Sequence, residues 1–235
     1  MAFEKRVETY FHLTSWAPGG IRVEGVYPTP IEESPYWTRQ HDGQQQFDAM
    51  LPEIAGIRDV LALFGLSPEA VARAKGQAQT AKENLYERVR AAEFSDAPSR
   101  RRCMFVCESE AKLREYIARY KFPTAGRTVF ELQMVTWTDE PTETQLADMQ
   151  LSRENFQRLN ELCRIRVNPR FLDSNDENDA EQTTLARRYW SSDNTEPEQL
   201  TEVLFEGFFV VKRIVETWPV AVPEASVDAP GERQP

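Results

Sequence analysis

The chain is nearly devoid of histidine: two in 235 residues, His12 and His41. It has no HExxH pair and no His/Cys cluster at zinc-ligand spacing, so no sequence-borne metal centre is expected. Cysteine is scarce too. Cys103, Cys107 and Cys163 form an odd set, and the opening MAFEKRVETY lacks the apolar centre of a secretory signal. Both features point to reduced thiols in a cytoplasm. Delivery into another cell by a machine that needs no cleavable signal is compatible with the same opening. Cys103 and Cys107 stand four apart on a short apolar strand, facing the same way about 13 Å apart, beyond the reach of a disulfide. All three read as small buried residues.

Glycine-rich phosphate loops are also missing: there is no GxGxxG and no GxxxxGK[ST]. That excludes the usual strand–loop–helix nucleotide sites, and no serine nucleophile elbow takes their place. No apolar run is long enough to span a bilayer, so no membrane partner is expected. Positive charge is in deficit. Against 38 acidic residues there are 28 basic ones, a formal charge of −10. Such a surface repels phosphate backbones and anionic lipid, leaving only local basic spots to bind an anionic small molecule.

What is present is a core-forming composition, 40% hydrophobic and 11% aromatic, enough to fold without disulfides. We expect one domain over residues 1–218 and a disordered Pro/Ala/Glu-rich tail over 219–235. Val7–Thr14 reads as a strand. Residues 16–35 read as loop with a short extended piece at Ile21–Val23, and His41 falls in a polar, exposed stretch. Glu53–Phe64 predicts a short helix. Ser67 followed by Pro68 predicts a cap and first turn of a long helix ending near Ala92. Its apolar stripe is Val71, Ala74, Ala78, Ala81, Leu85 and Val89, and Gly76 weakens its middle without ending it. CMFVC reads as a buried strand, Ser109 as the cap of the next helix, and RTVFELQMVTW as a long strand. Thr138–Gln150 reads as irregular, Ser152–Cys163 and Glu181–Trp190 as helices, and the end as two strands split at Gly207 with hairpin-like closeness. The order predicts an α+β fold, not a doubly wound sheet.

Three stretches carry a resemblance. YFHLTS, with His12 and Thr14, is similar to the aromatic–His–x–Thr/Ser strand of ADP-ribosyltransferases of the diphtheria-toxin and poly(ADP-ribose) polymerase type. CMFVCESEAKLREY resembles that superfamily's strand followed by a Tyr-bearing helix, here with Tyr116. TEVLFEG resembles its Glu-headed strand, here with Glu202. Over nearly its whole length the chain also resembles an uncharacterised bacterial family assigned to the superfamily, in the separated blocks ERVRAAEFSDAPSRRRCMFV, ARRYW and EVLFEGFFVVKRIV.

The resemblance implies a split pair of small, mainly antiparallel sheets around an NAD cleft, with peripheral helices and the His12 strand central in one sheet. It implies an enzyme that cleaves the nicotinamide–ribose bond of NAD, its substrate, and transfers ADP-ribose to an acceptor or to water. His12 would bind the adenosine-side ribose and help seat the amide, with Thr14 beside it. Tyr116 would stack on nicotinamide, and Glu202 would bind the 2′-hydroxyl of the nicotinamide ribose. These residue types suit the chemistry. Positive charge grows at the anomeric carbon as nicotinamide leaves, and a fixed carboxylate there is worth roughly 3–4 kcal/mol.

Around this core, Ser99 and Arg100 in PSRRRC are expected to clamp the pyrophosphate, with Arg100 reaching a cleft mouth. Tyr189 and Trp190 are expected beside the nicotinamide. Glu206 is a rival for Glu202. Leu200 stands where arginine-modifying relatives carry Glu or Gln, so their acceptor chemistry is not implied. The acidic loop 191–201 is expected to choose the acceptor, a protein in preference to a nucleic acid. The alternative is a catalytically inactive nucleotide- or protein-binding module of the same fold.

Overall fold

A computed structural model describes residues 2–14, 21–32, 58–122, 124–172, 179–191 and 200–219. Within these, seven strands form two antiparallel sheets, and helices cover them, an α+β architecture. The first sheet has the order β1–β4–β7–β2, built from Phe3–Thr14, Thr128–Trp137, Phe208–Thr217 and Val26–Pro28. The second has the order β3–β6–β5, built from Met104–Val106, Glu202–Glu206 and Cys163–Val167.

β1 is thus the edge of its sheet, not a central strand. Beyond that edge one bridge joins it to β3. The Phe11 amide donates to the Cys107 carbonyl at 2.8 Å and the Cys107 amide returns the bond at 2.9 Å. Both sheets therefore share a seam at β1 and β3. Alternation along the strands puts Tyr10, Met104, Val106, Phe130, Val203 and Phe205 into one buried cluster between the sheets.

The final two strands are not a hairpin. β6 lies in the small sheet and β7 in the large one, and the chain changes sheet at Gly207. A Cβ there would sit 2.7 Å from Leu162 Cδ1, so the crossing admits no side chain without a shift of Leu162. The Gly207 amide donates to Thr29 Oγ1 at 3.0 Å and its carbonyl accepts from the Thr29 amide at 2.8 Å, which ties β2 to the crossing.

The helices are α1 (Arg58–Leu63), α2 (Pro68–Glu93), α3 (Glu110–Arg119), α4 (Glu143–Asp148), α5 (Arg153–Asn160) and α6 (Asp179–Trp190). Ser67 caps α2 as expected, its hydroxyl accepting from the Ala70 amide, with Pro68 in the first turn. The buried face of α2 shares only Val89 with the expected stripe, of which Val71 and Leu85 are half-buried. It consists of Ala72, Gly76, Glu83, Tyr86 and Val89, while Ala74, Ala78 and Ala81 are exposed. The face is chosen by what α2 meets on α6 and β5, where Tyr86, Val167, Tyr189 and Trp190 form the second core cluster.

Two elements escaped the sequence reading. Thr142 and Gln145 form a reciprocal capping box that starts α4 inside the stretch expected to be irregular. Cys163–Val167 is a strand whose outward arginines mask its alternation. β2 replaces the extended piece expected at Ile21–Val23. His41, residues 53–57 of the expected short helix, residues 192–199 of the expected acceptor loop and the tail from 220 onward lie outside the described residues.

Candidate functional site

Helix α3 begins at Ser109, whose hydroxyl accepts from the Lys112 amide at 3.2 Å, with Glu110 in the positive first turn. Leu113 anchors the helix in a cluster with Cys107 and Val129. This pose carries Tyr116 over the β1–β3 seam, half-buried against that same cluster, on which Phe11 and Leu13 of β1 also pack. Its ring stacks on Phe122 with centroids 5.4 Å apart and leans on Tyr120 at 4.7 Å. The Glu202 carboxylate lies beside its hydroxyl. Burial, and then the charge of Glu202, push the Tyr116 phenol far above its ordinary range, so it stays protonated.

Glu202 heads β6 opposite Val167 of β5 and is 3% exposed. Its neighbourhood is marked by its effect on other groups. After burial, its charge is the next cause pushing the Cys107 thiol up to about 12, and it also acts on Arg100, Cys103 and Tyr189. Tyr116 and Glu202, the second and third residues of the expected site, are therefore in contact.

His12 lies on β1, across the seam. Its Nδ1–H donates to the Phe105 carbonyl of β3 at 2.8 Å. That bond continues the strand pairing just past the Phe11–Cys107 bridge, with an imidazole in place of a backbone amide. Burial lowers the ring's pKa to about 4, against a smaller raising effect from the Phe105 bond, so His12 is neutral at pH 7. β1, β3 and β6 are consecutive here, which sets His12 two strand spacings, roughly 10 Å, from the head of β6. By alternation its side chain shares a face with Tyr10, whereas Glu202 shares a face with Leu204 on the opposite side of β6. The bond that the structure shows for His12 joins it to β3, at the Phe105 carbonyl. Thr14 ends β1 as a buried residue opposite Thr128.

The basic turn is not where it was expected. Arg100 is 7% exposed and does not reach a cleft mouth. Its Nε meets Glu83 Oε2 at 3.0 Å and its Nη2 meets Glu83 Oε1 at 3.3 Å. The guanidinium lies between the rings of Phe105 and Tyr189, 5.0 and 5.1 Å from their centroids, and donates to the Tyr189 hydroxyl. A buried cation needs a carboxylate, and Glu83 on α2 supplies it. Ser99 is buried as well, its amide donating to Glu206 Oε1 at 2.8 Å. Glu206 also faces Arg158 at 3.6 Å and Arg102 at 3.9 Å, which makes it part of the packing and not a rival acid. Tyr189 and Trp190 are fully buried, edge-on to each other at 4.9 Å, and Trp190 Nε1 donates to the Tyr86 carbonyl at 2.9 Å. They are core, not cleft lining.

The sequence reading missed the polar rim of the site. Lys112 stands one helical turn before Tyr116, on the same face of α3. Its Nζ donates to Thr201 Oγ1 at 3.2 Å and to Glu108 Oε2 at 3.0 Å. Arg166 of β5 takes the other Glu108 oxygen. The i, i+4 spacing to Tyr116 was the signal available for Lys112. None existed for Arg166 while β5 was unrecognised.

Elsewhere, an open cavity of about 360 Å³ lies against Trp137, Asp139, Phe156 and Asn160, and none of the expected site residues lines it. Among the described residues no group of three or more His, Cys, Asp or Glu is placed to hold a metal ion, and no helix is long and apolar enough to cross a membrane.

This two-sheet α+β domain, with a Tyr–Glu contact beside its seam, has a family. The model of the family described as "Protein of unknown function (DUF2441)" matches residues 67–217, and the chain belongs to that family. No curated protein matches the chain.

Proposed function

We propose that the protein is an NAD-cleaving enzyme of the ADP-ribosyltransferase type. In this reading the bond between the ribose anomeric carbon and the nicotinamide nitrogen breaks, and its electron pair leaves with nicotinamide. An acceptor nucleophile, or water, then bonds to that carbon and loses a proton. Glu202 holds the 2′-hydroxyl beside the growing positive charge, Tyr116 gives the nicotinamide a flat face, and the neutral His12 supports the adenosine side. The observation that carries the reading is the Tyr116–Glu202 contact. Two sequence blocks that resemble the superfamily separately meet at one point, beside the strand that His12 pins.

A second reading is a non-catalytic nucleotide- or protein-binding module of the same fold. What favours it is the burial of Arg100 against Glu83, which removes the expected pyrophosphate clamp. One experiment separates the two. The purified chain is incubated with NAD labelled in the nicotinamide, with and without a cell extract, and free nicotinamide is scored. Release that disappears in Glu202→Gln supports the enzyme. NAD binding by calorimetry with no release in either condition supports a nucleotide-binding module, and neither binding nor release removes the enzyme and leaves only a module that binds protein or another nucleotide. Labelled ADP-ribose on extract protein, sensitive to protease and not to nuclease, would identify a protein acceptor.

A further inference from the structure

The site described above has a tyrosine and a carboxylate, yet a dinucleotide also brings two phosphate charges to a strongly acidic protein. Local positive charge has to offset that repulsion. Arg100 does not supply it, because its guanidinium is enclosed by Glu83, Phe105 and Tyr189.

The rim offers another source. Helix α3 lays two side chains, one turn apart, against two consecutive residues at the head of β6. Tyr116 meets Glu202, and Lys112 meets Thr201 at 3.2 Å. Arg166 reaches the same place from the neighbouring strand β5. The side chains of Lys112 and Arg166 are 28% and 55% exposed, so both face solvent beside a buried pair. Between them sits Glu108, with one carboxylate oxygen on each cation, 3.0 Å in the case of Lys112. A carboxylate that bridges an ammonium and a guanidinium offers them the paired anionic oxygens that a phosphate offers. The two cations outnumber the one rim carboxylate, and their excess charge faces the buried Glu202 carboxylate next to Thr201. Burial acts to raise the Glu108 pKa, but the bonds and charges of Lys112 and Arg166 outweigh it and hold the carboxyl below its ordinary range.

We propose that Lys112 and Arg166 are the phosphate-binding half of the site, taking the pyrophosphate of a nucleotide substrate, and that Glu108 holds their place until it is displaced. The assignment rests on the NAD-cleaving reading for the identity of the nucleotide, and on the rim geometry for the site itself. The three residues make the ligand's phosphates, not its rings, the target of recognition at this edge.

ADP-ribose is the probe, because it keeps the pyrophosphate and lacks the scissile bond. Calorimetric titration at low salt is run on the parent chain, Lys112→Gln, Arg166→Gln, Glu108→Gln and Arg119→Gln. Lys112→Gln and Arg166→Gln should each weaken binding by about tenfold or more, the usual loss for a hydrogen bond to a charged group. Glu108→Gln should tighten it several-fold, since the competing carboxylate is gone. Arg119→Gln, which removes an exposed arginine at the other end of α3, should leave affinity unchanged. No ADP-ribose binding to the parent, unchanged affinity in both cation variants, weaker binding in Glu108→Gln, or an equal loss in Arg119→Gln would each overturn the proposal. If ADP-ribose binds with the expected pattern but NAD releases no nicotinamide, the phosphate site stands and the catalytic reading fails.

Discussion

The Tyr116 hydroxyl lies beside the Glu202 carboxylate, joining the helix after β3 to the head of β6. The contact places an acid and an aromatic ring together beside a seam that His12 holds closed on the other strand. Four expectations follow from this arrangement and its surroundings.

Glu202→Gln is nearly isosteric and removes the charge. If Glu202 stabilises the cation that develops on the ribose, nicotinamide release should fall by about 10²-fold or more while the melting temperature stays within a few degrees. Tyr116→Phe keeps the ring and loses the donor. It should cost about 1–3 kcal/mol of stability, because a buried carboxylate loses the polar group beside it. Unchanged release from well-folded Glu202→Gln would withdraw the catalytic role from this residue.

Arg100 and Glu83 form a buried pair, so removing one charge strands the other. Arg100→Met should lower stability by about 3–5 kcal/mol in urea unfolding without any ligand. Glu83→Leu should act in the same direction, and the double variant should recover most of the loss. An Arg100→Met protein as stable as its parent would contradict the buried pairing and return this arginine to the surface.

His12 titrates near 4 in the fold, against an ordinary value of 6.5, because burial disfavours its charged form. The unfolded chain therefore takes up a proton that the folded chain refuses between these values. The stabilisation is complete above pH 6.5 and is lost as pH falls toward 4, about 3 kcal/mol in all. Carboxylates held low, Glu8 first by a bond from its own backbone amide and then by Arg164, and Glu93 by Arg187, lose their contribution only below the ordinary carboxylate pKa of 4.5. Urea unfolding at pH 7.0 and 5.0 should thus show a loss in the parent that is smaller in His12→Gln. Equal losses in both proteins would mean that the imidazole is solvated.

The three thiols differ in access. Cys103 and Cys107 are buried, and burial raises both, Cys107 to about 12. Cys163 is half-buried, is raised less, to about 11, and donates to the Asp96 carbonyl at 2.6 Å. Iodoacetamide at pH 8 should label Cys163 first, and Cys103 and Cys107 only after unfolding, as read by peptide mass spectrometry. Early labelling of Cys107 would mean that α3 does not cover the seam.

The local features were legible without a structure. The Ser67 and Ser109 caps, the CMFVC strand and the Glu202 strand depend on residues within a few positions of one another, and so does the mixed order of elements that defines an α+β chain. Tyr116 and Glu202 were legible as candidates, because their blocks carry a resemblance. Their contact was not, since it depends on how α3 lies across β1 and β3. The face of α2 was misread because an exposed alanine stripe and a buried Glu83 invert the usual pattern, and Glu83 is tolerated inside only because Arg100 arrives from a distant turn. The same event removed Arg100 from the expected clamp. β5 was hidden because Arg164 and Arg166 point outward to Glu8 and Glu108, partners that no local pattern reveals. Sequence by itself determined where helices start and which strands are apolar, because those choices are settled by short-range hydrogen bonds and alternation. Only the tertiary structure decided which charges are buried in pairs and which remain at the rim, because the cost of burying a charge is set by the partner that packing brings to it.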